Sequence, residues 1–233
     1  MTLTPLFSLP SPPLVPIAGL DQGYPVARIF CVGRNYAAHA AEMGNEVDRE
    51  APFYFTKSAQ ALCLSGATIP YPLESKDVHF EMEFVVALGA PAFRTSTDAA
   101  MDAVYGYACG IDLTRRDLQA AAKDKRRPWD LGKDFEQAAI IAPITPADQF
   151  GEIENQSIRL SHNNETAQDA QLSDMVWSVP EVISHLSRFY HLGPGDLIYT
   201  GTPAGVGPVQ PGSDLRGDIK GLAPITLQIS APE

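Results

Sequence analysis

Val78-His79-Phe80-Glu81-Met82-Glu83-Phe84-Val85-Val86-Ala87-Leu88 is the longest apolar, β-prone run in the chain, and Gly89 and Pro91 close it. The pattern predicts one long strand over 78–88. Successive strand side chains alternate faces, so Glu81 and Glu83 share one face while Met82 and Phe84 take the other. A bare Glu-x-Glu usually lies on a solvated strand face. Here the uninterrupted Val85–Leu88 run argues for a strand buried on both faces. Two adjacent carboxylates in such a strand repel each other and are costly to desolvate. A hard divalent cation such as Mg²⁺ or Mn²⁺, which takes carboxylate oxygens, removes that cost.

Working outward, further strands are expected at 26–32, 53–57, 106–113, 138–144, 157–161, 197–200 and 224–230. The helices are short. One covers 36–43, with Asn35 as N-cap and Gly44 as its stop. A polar one covers 114–123. A third opens on the capping box Ser178-x-x-Glu181 and runs to about Tyr190. Asn163-Asn164 reads as a hairpin turn. Strands outnumber helices, which points to an α+β, β-rich fold with a mixed sheet rather than a doubly wound one. Residues 1–25 hold Pro5, Pro10, Pro12, Pro13 and Pro16 and are expected to be an extended segment lying over the body or partly disordered. Residues 26–233 form one larger domain.

Composition narrows the function. A net charge of −11, from 17 basic and 28 acidic residues, argues against sequence-blind nucleic-acid binding and against an anionic membrane surface. Cys31, Cys63 and Cys109 form no CxxC pair, which excludes a disulfide scaffold and a Cys-rich zinc site and fits a cytoplasmic protein. No uncharged apolar stretch is long enough to span a bilayer, and no signal peptide is visible at the N-terminus.

Asp112, at the end of a glycine-punctuated apolar strand, is either a helix cap or a third oxygen ligand beside Glu81 and Glu83. The following helix offers Arg116 and Gln119, three apart and on one face, as a clamp for a carboxylate or oxyanion. His39 and Glu42 are neighbours at i, i+3. Such a pair is commonly an inconsequential surface contact, but Glu42 could also orient His39 as a general base. Lys133, after Pro128-Trp129-Asp130-Leu131-Gly132, is either buried to polarise a carbonyl or part of the solvated basic run from Lys123 to Arg127. Thr200-Gly201-Thr202-Pro203-Ala204-Gly205-Val206-Gly207 lacks P-loop spacing. It can still present backbone N–H groups and the Thr202 hydroxyl to a small anion. No Ser or Cys sits in a nucleophile-elbow context.

The order of five motifs, VGRNYAAHAAEMG, HFEMEFVVALG, GYACGIDLTRRDLQ, PWDLGKDF and LIYTGTPAGVGPV, resembles the fumarylacetoacetate hydrolase superfamily over about residues 26–230. The resemblance implies the rolled mixed β-sheet of that family's C-terminal domain type, making 26–233 its catalytic domain, and usually a homodimer. It implies one Mg²⁺, Mn²⁺ or Ca²⁺ ion on Glu81, Glu83 and Asp112. It also implies a His39–Glu42 dyad on a lid, an active-site Lys133, and substrate contacts from Arg116, Gln119 and Thr202. The implied reaction is hydrolysis of the C–C bond of a 3-acylpyruvate, 3-fumarylpyruvate foremost, giving fumarate and pyruvate. A broad acylpyruvase, an oxaloacetate decarboxylase and a keto–enol isomerase use the same constellation. A non-catalytic divalent-metal or dicarboxylate binder is the alternative of another class, and it would need no His39–Glu42 base. The second carboxylate of fumarylpyruvate calls for a cationic partner, for which Arg34 is the first candidate and Lys57 the next.

Overall fold

The computed structural model describes residues 4–42, 44 and 49–233. The expected helix end at Met43 and the loop residue Asn45 lie outside them. Strands β1 (Leu14–Pro16) and β2 (Gly23–Pro25) form an antiparallel hairpin. β3 (Arg28–Gly33), helix α1 (Ala37–Glu42) and β4 (Phe53–Lys57) follow. Short strands β5 (Leu62–Leu64) and β6 (Ala67–Pro70) lead to β7 (Val78–Phe80) and β8 (Met82–Leu88). β9 (Val104–Asp112) and β10 (Thr114–Arg115) run into helices α2 (Arg116–Asp124) and α3 (Asp130–Lys133). Next come β11 (Ala139–Ile141), β12 (Thr145–Pro146), α4 (Ala147–Phe150), β13 (Ser157–His162), β14 (Glu165–Gln171) and α5 (Val179–Leu186). β15 (Asp196–Tyr199), β16 (Gly207–Pro208), β17 (Asp214–Ile219) and β18 (Ile225–Ser230) complete the chain.

The main sheet has the order β4-β3-β15-β8-β9-β11-β5, with β12 paired to β9. It is mixed: β3/β15 and β11/β5 run parallel and the other pairs antiparallel. A five-stranded sheet, β14-β13-β17-β18-β6, packs on one face. There Phe84, Val86 and Leu88 share a core with Ile158, Leu160 and Leu227. On the opposite face Val85, Ala87, Ile29 and Tyr199 meet Val15, Ile17 and Tyr24 of the N-terminal segment. The Tyr24 hydroxyl fixes that contact by bonding the Leu88 and Asp196 carbonyls and accepting from Gly195 N–H. A sheet covered twice explains why β8 is buried at every position instead of alternating. The result is the expected sheet-rich α+β fold with a rolled mixed sheet and few short helices.

The decisive run departs from expectation at one residue. It is two strands, not one, and Glu81 is the break. β7 pairs with β10 and β16 in a small separate sheet, whereas β8 pairs with β9 and β15. At the break the Glu81 carbonyl accepts from Asp112 N–H at 2.8 Å, which locks two candidate ligands together through their backbones. The 114–123 helix starts late because Thr114 and Arg115 pair with β7. The helix opened by Ser178 keeps its capping box and ends at Leu186. The Asn163-Asn164 turn has both residues at positive φ, as a tight hairpin demands.

Candidate active site

β8 and β9 are adjacent antiparallel strands, with Glu83 opposite Gly110. That register brings Asp112, at the end of β9, beside Glu81 and Glu83. One carboxylate oxygen from each of the three lies within 4.8 Å of the others, and all three residues are buried. Around them stand three cations. Arg116 donates to Glu81 Oε1 at 2.5 Å, and Lys133 donates to Glu81 Oε2 (2.7 Å), Asp112 Oδ2 (2.6 Å) and the Thr114 hydroxyl (2.6 Å). Lys57 Nζ lies 2.8 Å from Asp112 Oδ1. Among the described residues Glu83 makes no ion pair; its Oε2 accepts the Gly201 N–H at 2.7 Å.

The titration behaviour follows from this arrangement. Burial alone would raise the pKa of Glu81, but Lys133 and Arg116 outweigh it and hold that carboxyl far below its ordinary value. Burial raises Glu83, and the neighbouring Asp112 and Glu81 push it further up. Burial would lower Lys133, yet Asp112 and Glu81 carry it up to about 12, so it stays charged. Lys133 and the Gly201 N–H offset the rise at Glu83 only in part, and a buried carboxyl beside two others, in a set of three hard oxygen donors, fits a divalent cation.

Across the cleft from this floor sits α1. His39 is buried on it, with Nδ1 3.2 Å from Glu42 Oε2. Glu42 also accepts the Gly205 N–H at 3.1 and 3.2 Å, so the dyad is tied to the Thr200–Gly207 loop. Gly205 has φ +92°, and a Cβ there would lie 2.0 Å from the Ala167 carbonyl oxygen, so the latch needs glycine. Asn35, expected as the N-cap of this helix, is a bracket instead. Its amide donates to the Trp177 and Thr200 carbonyls, and its oxygen accepts from Trp177 N–H. Fully buried, it spends its side-chain bonds on two distant segments rather than on the start of α1.

The cleft is narrow, with about 40 Å³ of free space. Glu81, Glu83, His39, Arg34, Arg116, Gln119, Lys133 and Thr202 line it as expected. Lys57 does not. Its side chain is wholly buried beneath the floor, bound to Asp112 and donating to the Leu113 and Lys133 carbonyls. A lysine at the inner end of β4 is tolerated only with such partners, so it cannot meet a substrate. Lys123, read in the sequence as the start of a solvated basic run, lies in the wall of the cleft. Its signal was present: Arg116, Gln119 and Lys123 are spaced i, i+3, i+7 on one face of α2.

Gln168 carried no sequence signal, because it sits on the polar strand β14. It is fully buried and saturated. Met82 N–H can only donate, so it fixes the amide oxygen of Gln168 at 2.9 Å; the amide nitrogen must then donate to the Thr202 hydroxyl and the Pro203 carbonyl, both at 2.8 Å. With its oxygen already accepting, Thr202 keeps its own proton for an acceptor in the cleft. Gln119 follows the same logic. Arg116 donates to its oxygen at 2.8 Å, leaving its NH₂ as a donor.

Comparison with known proteins agrees with this geometry. The family model described as fumarylacetoacetate (FAA) hydrolase, C-terminal, matches residues 28–230. A fumarylpyruvate hydrolase from Ralstonia sp is 49% identical over 193 residues, covering 82% of this chain and all of the relative. A mitochondrial oxaloacetate decarboxylase from Dictyostelium discoideum is 39% identical over 196 residues, covering 84% of this chain and 89% of the relative. Among solved structures, fumarylpyruvate hydrolase from Pseudomonas aeruginosa in complex with Mn²⁺ and pyruvate superposes with a TM-score of 0.94. It is 42% identical, and the match covers 98% of this chain and all of that one. By its fold, its buried carboxylate group and these matches, the chain belongs to the fumarylacetoacetate hydrolase family.

Proposed function

We propose that this protein is a metal-dependent hydrolase of 3-acylpyruvates, acting on 3-fumarylpyruvate and water to give fumarate and pyruvate, a step suited to gentisate catabolism. The observation that carries this reading is a histidine–carboxylate pair facing three buried carboxylates across one cation-lined cleft. It is supported by the fumarylpyruvate hydrolases among the relatives and by the Pseudomonas structure with Mn²⁺ and pyruvate. The working unit on this reading is a cytoplasmic homodimer, which light scattering checks.

Glu81, Glu83 and Asp112 would hold a divalent ion, Mg²⁺ or Mn²⁺ foremost, with Ca²⁺ also admitted by the oxygen donor set. The ion would supply Lewis acidity that stabilises negative charge on a 2-oxo acid. The pyruvoyl carboxylate is received by the Thr202 hydroxyl proton, aimed by Gln168. His39 gives its Nδ1–H to Glu42 and keeps a lone pair on Nε2. That atom takes a proton from water as the oxygen adds to the distal carbonyl carbon. The cationic Lys133 and Arg116 and the Gln119 amide lower the energy of the oxyanion. The C–C bond then breaks, its electron pair leaves with the pyruvate fragment, and the proton held by His39 becomes available to that carbon. Helix α1, carrying the base, acts as a lid. Arg34, which follows β3 with φ 60° and makes no ion pair among the described residues, is offered to the distal carboxylate.

The test is purified protein with Mn²⁺ and fumarylpyruvate, following loss of the enol absorbance and assaying fumarate and pyruvate in equal amounts. Turnover of oxaloacetate with none of fumarylpyruvate would move the assignment to the decarboxylase side of the family.

A further inference from the structure

Lys123 is the cation of the cleft for which the mechanism has no use. It lines the same cavity as Glu83, His39 and Thr202. Its ammonium lies 4.8 Å from the centre of the Trp129 ring, and Trp129 is wedged against Phe53 and Phe55. Among the described residues it makes no ion pair. Burial first, then Arg116 and Arg34, push its pKa down, so it stands in a crowd of like charge. An acidic chain of net charge −11 has no reason to gather unpaired cations at one wall. The floor does not engage them: its ion pairs join Arg116, Lys133 and Lys57 to Glu81 and Asp112, and Glu83 pairs with neither Arg34 nor Lys123 among the described residues. Arg34 and Lys123 therefore remain as surplus positive charge, and a bound divalent ion adds to it. A ligand with a single carboxylate leaves that surplus; one with a second carboxylate at its far end removes it.

We propose that Lys123, held by Trp129 and acting with Arg34, is the specificity determinant that receives the distal carboxylate of a dianionic acylpyruvate. Its place on α2, one face with Arg116 and Gln119, makes a single helix read both ends of the acyl group. This inference rests on the acylpyruvate reading above and adds to it the class of acyl chain: one that ends in a carboxylate.

The experiment compares kcat/KM for fumarylpyruvate and acetylpyruvate in wild type, Lys123→Met and Lys123→Arg. A carboxylate receptor requires Lys123→Met to lose at least about 10-fold more on the dianion than on the monoanion, as expected for one charge-assisted contact. Lys123→Arg should keep most of the preference. Equal losses on both substrates, with an unchanged melting temperature, would make Lys123 a brace for Trp129 and overturn the proposal. A second measurement needs no turnover: titration of Mn²⁺-loaded protein with fumarate and with crotonate, which differ by one carboxylate. Lys123→Met should weaken fumarate about 10-fold or more and leave crotonate unchanged. Unaltered fumarate affinity refutes the Lys123 receptor even if hydrolysis is confirmed. Selective loss of fumarate in a protein that hydrolyses no acylpyruvate refutes the reaction and keeps the receptor.

Discussion

The two walls of the cleft are built on opposite principles. In the floor Glu81, Asp112, Arg116, Lys133 and Lys57 are fastened to each other by ion pairs at 2.5–2.8 Å, and all but Arg116 are buried. The opposing wall is a six-residue helix held by a bracket at Asn35 and a latch at Glu42. Its one internal ion pair, His39–Glu42, is longer at 3.2 Å, and Glu42 is partly exposed. The contrast teaches a division of labour. Charge that must be ready before substrate arrives is set in the sheet, where no reorganisation is needed. On the mechanism proposed above, the proton carrier rides on this short element, whose opening would admit substrate.

The sharpest way to break this comparison is at the floor. Glu83→Ala removes the one floor carboxylate without a cation, and we expect activity to fall below detection. The metal-dependent rise in melting temperature should vanish with it. At a metal concentration one hundred times Kd, that is a loss of about 2.7 kcal/mol of ligand-linked stability. In wild type the effect should depend on pH. Glu83 binds its proton more tightly folded than unfolded, since burial and its neighbours raise its pKa above 4.5. Without metal its contribution is therefore favourable below that ordinary value and is lost as pH rises through the folded value. Metal competes with this proton, so Mn²⁺ stabilisation measured by thermal shift should be small in acid and grow across that window. A stabilisation flat with pH would remove Glu83 from the ligand set.

Breaking the opposite wall should cost less. His39→Ala should lower kcat by about 10²–10⁴-fold, the usual worth of a general base, with Mn²⁺ affinity unchanged. Near-normal turnover in that variant would mean that α1 only covers the site. Between the two walls stands Gln168. Gln168→Leu frees the Thr202 hydroxyl to turn, and should raise KM about 10-fold with kcat less affected. Competitive inhibition by pyruvate should weaken in parallel, whereas a purely structural role would spare it. The smallest expected effect is at the latch. Gly205→Ala strains the loop against Ala167 and loosens Glu42, for a fall of several-fold in kcat that Glu42→Gln should not deepen.

Much of the floor could be read from the sequence, because its signals are local. A Glu-x-Glu in an unbroken apolar strand and an acid closing a glycine-rich one are each visible within a few residues. Arg116 and Gln119 followed from helical spacing. What escaped was decided by partners far along the chain. The Lys57 reading failed because its partner, Asp112, is fixed by the pairing of strands in three dimensions. The split at Glu81 was hidden because β7 and β8 are one apolar run that two different sheets divide. Strands β14 and β17 were missed because each has one solvated side, and ETAQDAQ and DLRGDI show no apolar run. Asn35 looked like a cap because local propensity favours that role; tertiary bonds to Trp177 and Thr200 overrode it.

The hairpin β1–β2 sets a constraint on how the protein is made. Tyr24 closes the second core by bonding the Asp196 carbonyl, a partner 172 positions later in the chain. Val15, Ile17 and Tyr24 are synthesised well before β15, which the surface they cover requires. Throughout translation these apolar side chains wait without their partner, the condition in which nascent chains associate wrongly. The hairpin's own pairing, formed among neighbours and flanked by prolines, lets the segment hold a local shape during that wait. Final docking must then wait until β15 has been made, and yield during overproduction should respond to slower synthesis or lower temperature more than to the stability of the finished fold.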